Sequence, residues 1–126
     1  MKIELDTENV NFHKITSYSD DSFQIKDKIV KTNIIISKDR LIENWLDDGY
    51  QHFAMQHLNE VISWRPEIIL LGTGRDLSFP NQEVFSYINS KNIGFEVMDT
   101  GAACRSYNLL IDEGRNAVAC LFLAGN

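Results

Sequence analysis

Two glycine-containing segments in the second half of the chain carry the residues that could do chemistry. They are GTGR at residues 72–75 and DTGAACR at residues 99–105. Glycine lets a backbone approach a ligand closely, free N–H groups in such turns can point at an anion, and arginine supplies a cation. The candidate ligand-binding residues are Gly72, Thr73, Gly74, Arg75, Asp99, Thr100, Cys104 and Arg105.

The first segment follows IILL, an apolar run that is typical of a buried strand, and the second follows FEVM, which is predicted as a second short strand. Ligand crevices in parallel sheets lie beyond the carboxyl ends of the strands. If the two strands are neighbours, the two loops face each other. The GTGR segment lacks the third glycine of a dinucleotide fingerprint and the G-K-[ST] of a P-loop, so a plain tight turn fits it as well as an anion cradle.

Cys104 is the one candidate nucleophile. A thiol in the first turn of a helix lies at the positive end of the helix dipole, which lowers its pKa. A nucleophilic cysteine normally needs a base, however, and all three histidines precede Trp64. The small neighbours Ala102 and Ala103 favour a packing role for Cys104 instead. His52 and His57 are five residues apart and form a poor metal pair, so neither a metal nor a cofactor is predicted.

Thr100 is the first candidate for the N-cap of the helix that follows, since its hydroxyl can accept a first-turn N–H. Asp99 could do the same or could orient Arg75 or Arg105. The helix itself is predicted from an apolar stripe that should face the core, with Cys104 at its boundary. The stripe consists of Ala103, Tyr107, Leu110 and Ile111.

The composition is that of an ordinary globular domain, with 126 residues, 44% apolar, and a net charge of -6. Lys and Arg do not cluster, which argues against nucleic acid as the main partner. No apolar run approaches the roughly 20 residues of a membrane helix, and the polar N-terminus is unlike a signal peptide. Two cysteines without C-x-x-C spacing are expected as reduced thiols in a cytoplasmic protein.

Strands dominate the first third of the chain. Residues 13–19 and 22–27 flank a predicted hairpin turn at Asp20-Asp21, and residues 30–37 are predicted as one strand entering the core. Residues 43–51 are predicted as a short edge segment around Trp45 with a turn at Asp48-Gly49.

Helices and strands alternate in the remainder. Apolar spacing predicts a helix over residues 53–64, and Pro80 fits the first turn of a second helix that ends near Asn92 and Gly94. Gly114 should end the helix that follows Thr100. This order predicts a mixed α/β fold with parallel pairing and a separate antiparallel part, in a single domain of residues 1–126.

Residues 66–80, PEIILLGTGRDLSFP, and 94–115, GFEVMDTGAACRSYNLLIDEGR, closely resemble a family of small uncharacterised bacterial and archaeal proteins, an MTH-type domain of unknown function. The family also contains the mitochondrial complex I assembly factor three and an adipogenesis-associated vertebrate protein. The resemblance is strong over residues 66–124. It implies a three-layer fold with a central mixed, partly parallel sheet and an added antiparallel β layer, and no established enzymatic activity.

Three interpretations of the two segments stay open. The resemblance favours a non-catalytic binding or assembly-type protein, linked to membrane or respiratory complex assembly, with a protein partner. The alternative is a protein or enzyme that binds an anionic small molecule between the two loops. The third is a structural motif in which Arg105 ties Asp99 to the GTG turn. Self-association through the Leu109 side of the last helix or through an edge strand fits any of them.

Overall fold

A computed structural model describes residues 12–125 of the protein. Its first elements are three short antiparallel strands. Strands β1 (Ser17–Tyr18), β2 (Phe23–Ile25) and β3 (Lys28–Val30) pair in the order β1-β2-β3. The turn between β1 and β2 is closed by the Ser19 N–H, which donates to the Ser22 carbonyl at 2.9 Å. The hairpin predicted around Asp20-Asp21 is therefore confirmed.

A second sheet of five strands has the order β5-β4-β8-β6-β7. Its members are β4 (Ile34–Ser37), β5 (Leu41–Glu43), β6 (Ile68–Gly72), β7 (Gly94–Met98) and β8 (Ala117–Leu121). Strand β6 is parallel to both β7 and β8, whereas β4 is antiparallel to β5 and β8. The sheet is mixed and partly parallel, as predicted.

Five helical segments connect these strands. Two 3-10 turns, Tyr50–His52 and Met55–Leu58, lead into the short helix α1 (Asn59–Ser63). Helix α2 (Gln82–Ser90) connects β6 to β7, and α3 (Thr100–Asp112) connects β7 to β8. Gly114 follows α3 with φ +78, a left-handed conformation that glycine adopts without steric cost, and ends the helix as predicted.

Successive side chains of the central strands face two different cores. On β8, Ala119 and Leu121 pack in the core under α3, while Val118 and Cys120 pack in the core under α1 and α2. The three-stranded sheet contributes the buried side chains of Phe23, Ile25 and Val30 to the core under α3. The fold is thus a central sheet between one layer holding α1 and α2 and another holding α3 and the added β layer.

Two predictions within residues 30–51 were wrong in their bounds. Residues 30–37 do not form one strand, because β3 ends at Val30 and β4 begins at Ile34 in the other sheet. Between them, the buried Asn33 side chain donates to the Leu46 carbonyl at 2.8 Å and accepts from the Leu123 N–H at 2.8 Å. This residue joins three distant segments at the point where the chain passes from the three-stranded sheet to the five-stranded sheet.

The predicted edge segment around Trp45 is also misplaced, since the edge strand β5 ends at Glu43. The Trp45 ring packs instead against Phe122 at 5.1 Å, and its Nε1 donates to the Leu121 carbonyl at 3.2 Å. Asn44, directly after β5, has the left-handed φ of 56, and this backbone conformation ends the edge strand before Trp45.

The predicted helix over residues 53–64 is a 3-10 turn followed by only five α-helical residues. The His57 Nδ1 accepts the Ala54 N–H at 2.9 Å, which tightens the start of the segment. Pro80 lies before α2 rather than in its first turn, because Asn81 is the N-cap and accepts from the Glu83 N–H at 2.9 Å. Gly94 belongs to β7, and Asn92 alone has the left-handed φ of 63 at the end of α2.

Candidate functional site

The two glycine-containing loops leave neighbouring parallel strands at the same end of the sheet, so the condition under which they were expected to face each other is met. Gly72, the last residue of β6, pairs in register with Met98, the last residue of β7. The Thr73 N–H then donates to the Met98 carbonyl at 3.0 Å. A Cβ on Gly72 would lie 2.9 Å from the Leu121 side chain and 3.1 Å from the Thr100 Cα, so this glycine allows α3 to begin directly against β6.

The capping roles of Asp99 and Thr100 are the reverse of the first expectation. Asp99 is the N-cap of α3, and its carboxylate accepts the Ala102 N–H at 2.9 Å. Thr100 is the first helical residue and is 6% exposed. Its hydroxyl accepts the Gly74 N–H at 2.8 Å and donates to the Phe122 carbonyl at 2.6 Å. Thr100, not Arg105, therefore ties the GTG loop to the start of α3.

A cleft of about 240 Å³ lies between these loops and the β1–β2 hairpin. Four of the predicted site residues line it. They are Gly74, Arg75, Asp99 and Thr100. The others do not line it: Gly72 and Thr73 are buried beneath the loop, Cys104 is 1% exposed within the core, and Arg105 lies outside the cleft.

The cleft also contains residues that sequence reasoning missed. Tyr18, Ser19 and Asp20 come from the β1–β2 hairpin and Ala124 from the end of the chain. Asp20 accepts a hydrogen bond from the Arg75 guanidinium at 2.7 Å, and the Tyr18 hydroxyl accepts one from Arg105 at 2.5 Å. These contacts join residues 55 and 87 positions apart, so no local pattern could have indicated them.

The charges of the cleft do not favour an anion. Asp20 and Asp99 both line it, and the single lining cation, Arg75, is already paired with Asp20. The Gly74 N–H, which an anion cradle would need free, donates to Thr100. An entering anion would have to displace a carboxylate that the structure holds in place.

Cys104 is a core residue and a poor nucleophile. Burial raises its pKa to about 12, and the nearby Arg105 opposes this rise only in part. Desolvation therefore outweighs the helix dipole that could have activated the thiol. Cys120 is fully buried and its pKa is raised by burial as well. Both cysteines are free thiols.

The loop that follows β6 presents a different kind of feature. Within residues 73–80, Leu77 is 51% exposed and Phe79 is 66% exposed. Hydrogen bonds to the Thr73 side chain fix the backbone next to both residues. The Thr73 hydroxyl donates to the Asp76 carbonyl at 2.6 Å and accepts the Ser78 N–H at 3.2 Å. We call residues 73–80 the apolar loop.

An aromatic anchor from elsewhere in the chain holds the same loop. The Tyr50 hydroxyl donates to the Ser78 carbonyl at 2.6 Å, and the Tyr50 ring packs on Phe122 at 5.4 Å. The Phe79 ring contacts the Phe85 ring of α2 at 6.3 Å. The two apolar side chains are thus displayed on a backbone that is bonded on both sides.

Among residues 12–125, no group of three or more His, Cys, Asp and Glu side chains is placed to hold a metal ion. Within the same residues, no helix has the length and apolar character needed to cross a membrane.

The chain is a three-layer α/β protein, and several proteins of known structure share its fold. A Bordetella parapertussis protein has a TM-score of 0.82 at 26% identity, covering 89% of this chain and 96% of that one. A Xanthomonas campestris protein has a TM-score of 0.80 at 28% identity, covering 90% and 86%. A structure described as an outer membrane protein from Bartonella henselae has a TM-score of 0.79 at 27% identity, covering 90% and 96%.

Residues 15–122 match the family described as a protein of unknown function (DUF498/DUF598), and the chain belongs to this family. NADH dehydrogenase [ubiquinone] 1 alpha subcomplex assembly factor 3 of Xenopus tropicalis is 30% identical over 120 residues, which cover 93% of this chain and 64% of that protein. The 13 kDa major membrane protein of Francisella tularensis subsp. holarctica is 36% identical over 76 residues, covering 60% and 61%. The chain therefore spans less than two thirds of either relative.

Proposed function

We propose that this chain is an assembly-type protein that binds a protein partner without catalysing a reaction, and that the apolar loop is part of its docking surface. The similarity to a complex I assembly factor over 93% of the chain supports the class of function. The exposed Leu77 and Phe79 on their hydrogen-bonded backbone support the location.

The fixed backbone of the apolar loop is the observation that carries the proposal. Large apolar side chains bind a partner most effectively when little conformational freedom is lost on binding. The bonds from Thr73 and Tyr50 to the loop fix Leu77 and Phe79 before any partner arrives. Packing within residues 12–125 leaves both side chains more than half exposed, even with the Phe79 ring against Phe85, so a partner is the surface that would bury them.

The partner we propose is a subunit of a membrane or respiratory complex before its assembly. One relative is named as an assembly factor of NADH dehydrogenase and another as a major membrane protein. We place this chain itself in the cytoplasm, where its free thiols stay reduced. Fractionation of host cells checks the location, since recovery of the chain mainly with membranes would contradict it.

Complementation of a deletion strain tests the assembly role. The host lacking this chain should accumulate less of an assembled membrane complex on a native gel, and the wild-type chain should restore it. Leu77→Ser/Phe79→Ser should fail to restore it although the protein accumulates. Ile29→Ser is the matched control, because Ile29 is also apolar and 60% exposed but lies on β3. Unchanged complexes in the deletion strain would contradict the proposal.

A second candidate function is a small anionic ligand in the cleft between the GTG loop and α3. The observation in its favour is the cleft itself, with Gly74, Arg75, Asp99 and Thr100 in its walls and Arg105 bonded to its Tyr18. An anion that enters the cleft must displace Asp20 from Arg75. Gly72, Thr73 and Cys104 would support these walls from behind. Thermal unfolding with added phosphate or acetate tests it. A rise in melting temperature that Arg75→Gln abolishes would favour the ligand, and no rise would eliminate it.

Self-association is a further proposal for this chain. Leu109 on α3 is 59% exposed, and β7 forms one edge of the five-stranded sheet. Light scattering of wild type and Leu109→Ser would reveal a dimer that depends on this helix face.

A further inference from the structure

A second, larger cleft lies at the end of the central strands opposite the apolar loop. It has a volume of about 700 Å³, which is within the range of small-molecule pockets. The end of α1, the turn at Arg65-Pro66 and the end of α2 form its walls. Strands β6 and β7 begin beside it, at Ile68 and Gly94, so it is independent of the proposed docking surface.

The charge of this cleft is opposite to that of the whole chain. Arg65 and Lys91 both line it, and no Asp or Glu does, in a protein with a net charge of -6. The ion pairs found within residues 12–125 use other cations, namely Lys14, Lys28, Arg75 and Arg115. The two cleft cations therefore have no carboxylate partner among the described residues.

The rest of the lining is mixed: Asn59, Ser63 and Asn92 are polar, and the other four residues are apolar or aromatic. Pro66 and Ile93 are buried, and Ile62 and Tyr87 are half-buried. The Lys91 ammonium lies 5.3 Å from the centre of the Tyr87 ring, so the cation is held against the aromatic wall. Such a surface suits a ligand with an anionic group and a ring or hydrocarbon body.

Among the described residues, the Arg65 guanidinium makes no ion pair that would favour an arginine at this position. Its backbone has φ 55, the left-handed conformation in which helices commonly end and which glycine adopts most readily. Its N–H donates to the Ile62 carbonyl at 3.0 Å, a bond that any non-proline residue would make. The guanidinium thus occupies a position where the fold alone would favour glycine.

We propose that this cleft binds a phosphate monoester whose organic part is apolar or aromatic. Two cations that have no carboxylate partner among residues 12–125 match the charge of a phosphate dianion. An arginine fork bonds two phosphate oxygens at once. The cleft is larger than a phosphate group, and its apolar residues would contact the organic part of the ligand. A nucleotide and a lipid headgroup both provide this chemistry.

Calorimetric titration with phenyl phosphate tests the site. Wild type should bind saturably, and Arg65→Gly and Lys91→Gln should each weaken the affinity by about tenfold or more. Arg65→Gly should unfold at the same or a higher denaturant concentration, since glycine suits its φ, so lost binding could not be attributed to misfolding. Lys31→Gln, a change of an exposed cation outside the cleft, is the matched control and should bind like wild type.

Further ligands separate the parts of the proposal. Inorganic phosphate should bind more weakly than phenyl phosphate, and benzyl alcohol should not bind. Adenosine monophosphate and dihexanoyl phosphatidate distinguish the nucleotide from the lipid source, and tighter binding of either supports the site. The absence of saturable phenyl phosphate binding, an Arg65→Gly variant that binds like wild type, or benzoate that binds as tightly as phenyl phosphate would overturn the proposal.

Discussion

Gly74 and Thr100 are joined by two hydrogen bonds that run in opposite directions. The Gly74 N–H donates to the Thr100 hydroxyl at 2.8 Å, and the Thr100 N–H donates to the Gly74 carbonyl at 2.9 Å. The same hydroxyl donates to the Phe122 carbonyl at 2.6 Å. One side chain thus joins the loops that leave β6, β7 and β8, and it supports the base of the apolar loop.

Replacing Thr100 by valine should destabilise the protein strongly. The change keeps the shape of the side chain but leaves the Gly74 N–H and the Phe122 carbonyl without their partner in a buried place. We expect a loss of about 2–4 kcal/mol in the free energy of unfolding, measured by urea denaturation. Thr100→Ser keeps the hydroxyl and should lose only about 1 kcal/mol. Equal stability of the valine variant and wild type would show that the hydroxyl is not needed.

Alkaline pH should destabilise the fold through the buried thiols. Burial raises the Cys104 pKa from 9.0 to about 12, so the folded chain keeps this proton while the unfolded chain releases it. The contribution of the thiol is fully present below pH 9 and is lost as the pH rises toward 12. The free energy of unfolding should therefore fall by about 1.4 kcal/mol between pH 7 and pH 10 because of this thiol.

Cys104→Ala provides the comparison for this pH dependence. The free energy of unfolding of the variant should fall less steeply between pH 8 and pH 10, by the same 1.4 kcal/mol or so. Identical slopes for wild type and variant would contradict the burial of an un-ionised thiol at Cys104.

Asn108 should hold the start of the β layer against α3. Its side-chain oxygen accepts the Ile15 N–H at 2.9 Å, and its amide donates to the Ile15 carbonyl at 2.7 Å. Asn108→Leu removes both bonds and should cost about 1–3 kcal/mol, with faster hydrogen exchange at the Ile15 amide. Asn108→Asp keeps the acceptor and should protect this amide better than leucine does. Unchanged exchange at Ile15 in the leucine variant would refute the role.

The ion pair between Arg75 and Asp20 should contribute little to stability. Both side chains are largely exposed, and solvent weakens such pairs. Arg75→Gln should change the free energy of unfolding by less than about 0.5 kcal/mol in a urea titration. A loss above 1 kcal/mol would mean that Arg75 is structural, and its variant could then not serve as a test of ligand binding in the cleft.

The second half of the fold could be predicted from the sequence because its signals are local. Strand β6 is apolar throughout and β8 nearly so, and Gly114 ends α3 where a left-handed residue is required. The helix over residues 53–64 was predicted too long, because its start depends on the His57 side chain and on aromatic contacts to Phe122. Apolar spacing does not report either contact.

The candidate site was predicted only in part for a related reason. The sequence located the two loops, and the pairing of β6 with β7 brings them together. It could not show that Asp20 pairs with Arg75 or that Thr100, rather than Arg105, joins the loops, because these contacts depend on how distant segments pack. The exposure of Phe79 likewise follows from the packed structure and not from its residue type.

Photo-crosslinking from the apolar loop tests the central claim most directly. A benzophenone amino acid replaces Phe79 in one variant and Ile29 in another, since both side chains are apolar and more than half exposed. In host cells, the probe at position 79 should form a discrete adduct with one membrane-complex subunit, and Leu77→Ser in the same chain should reduce it. The probe at position 29 should not form this adduct. Equal crosslinking from both positions, or none from position 79, would contradict a docking role for the loop.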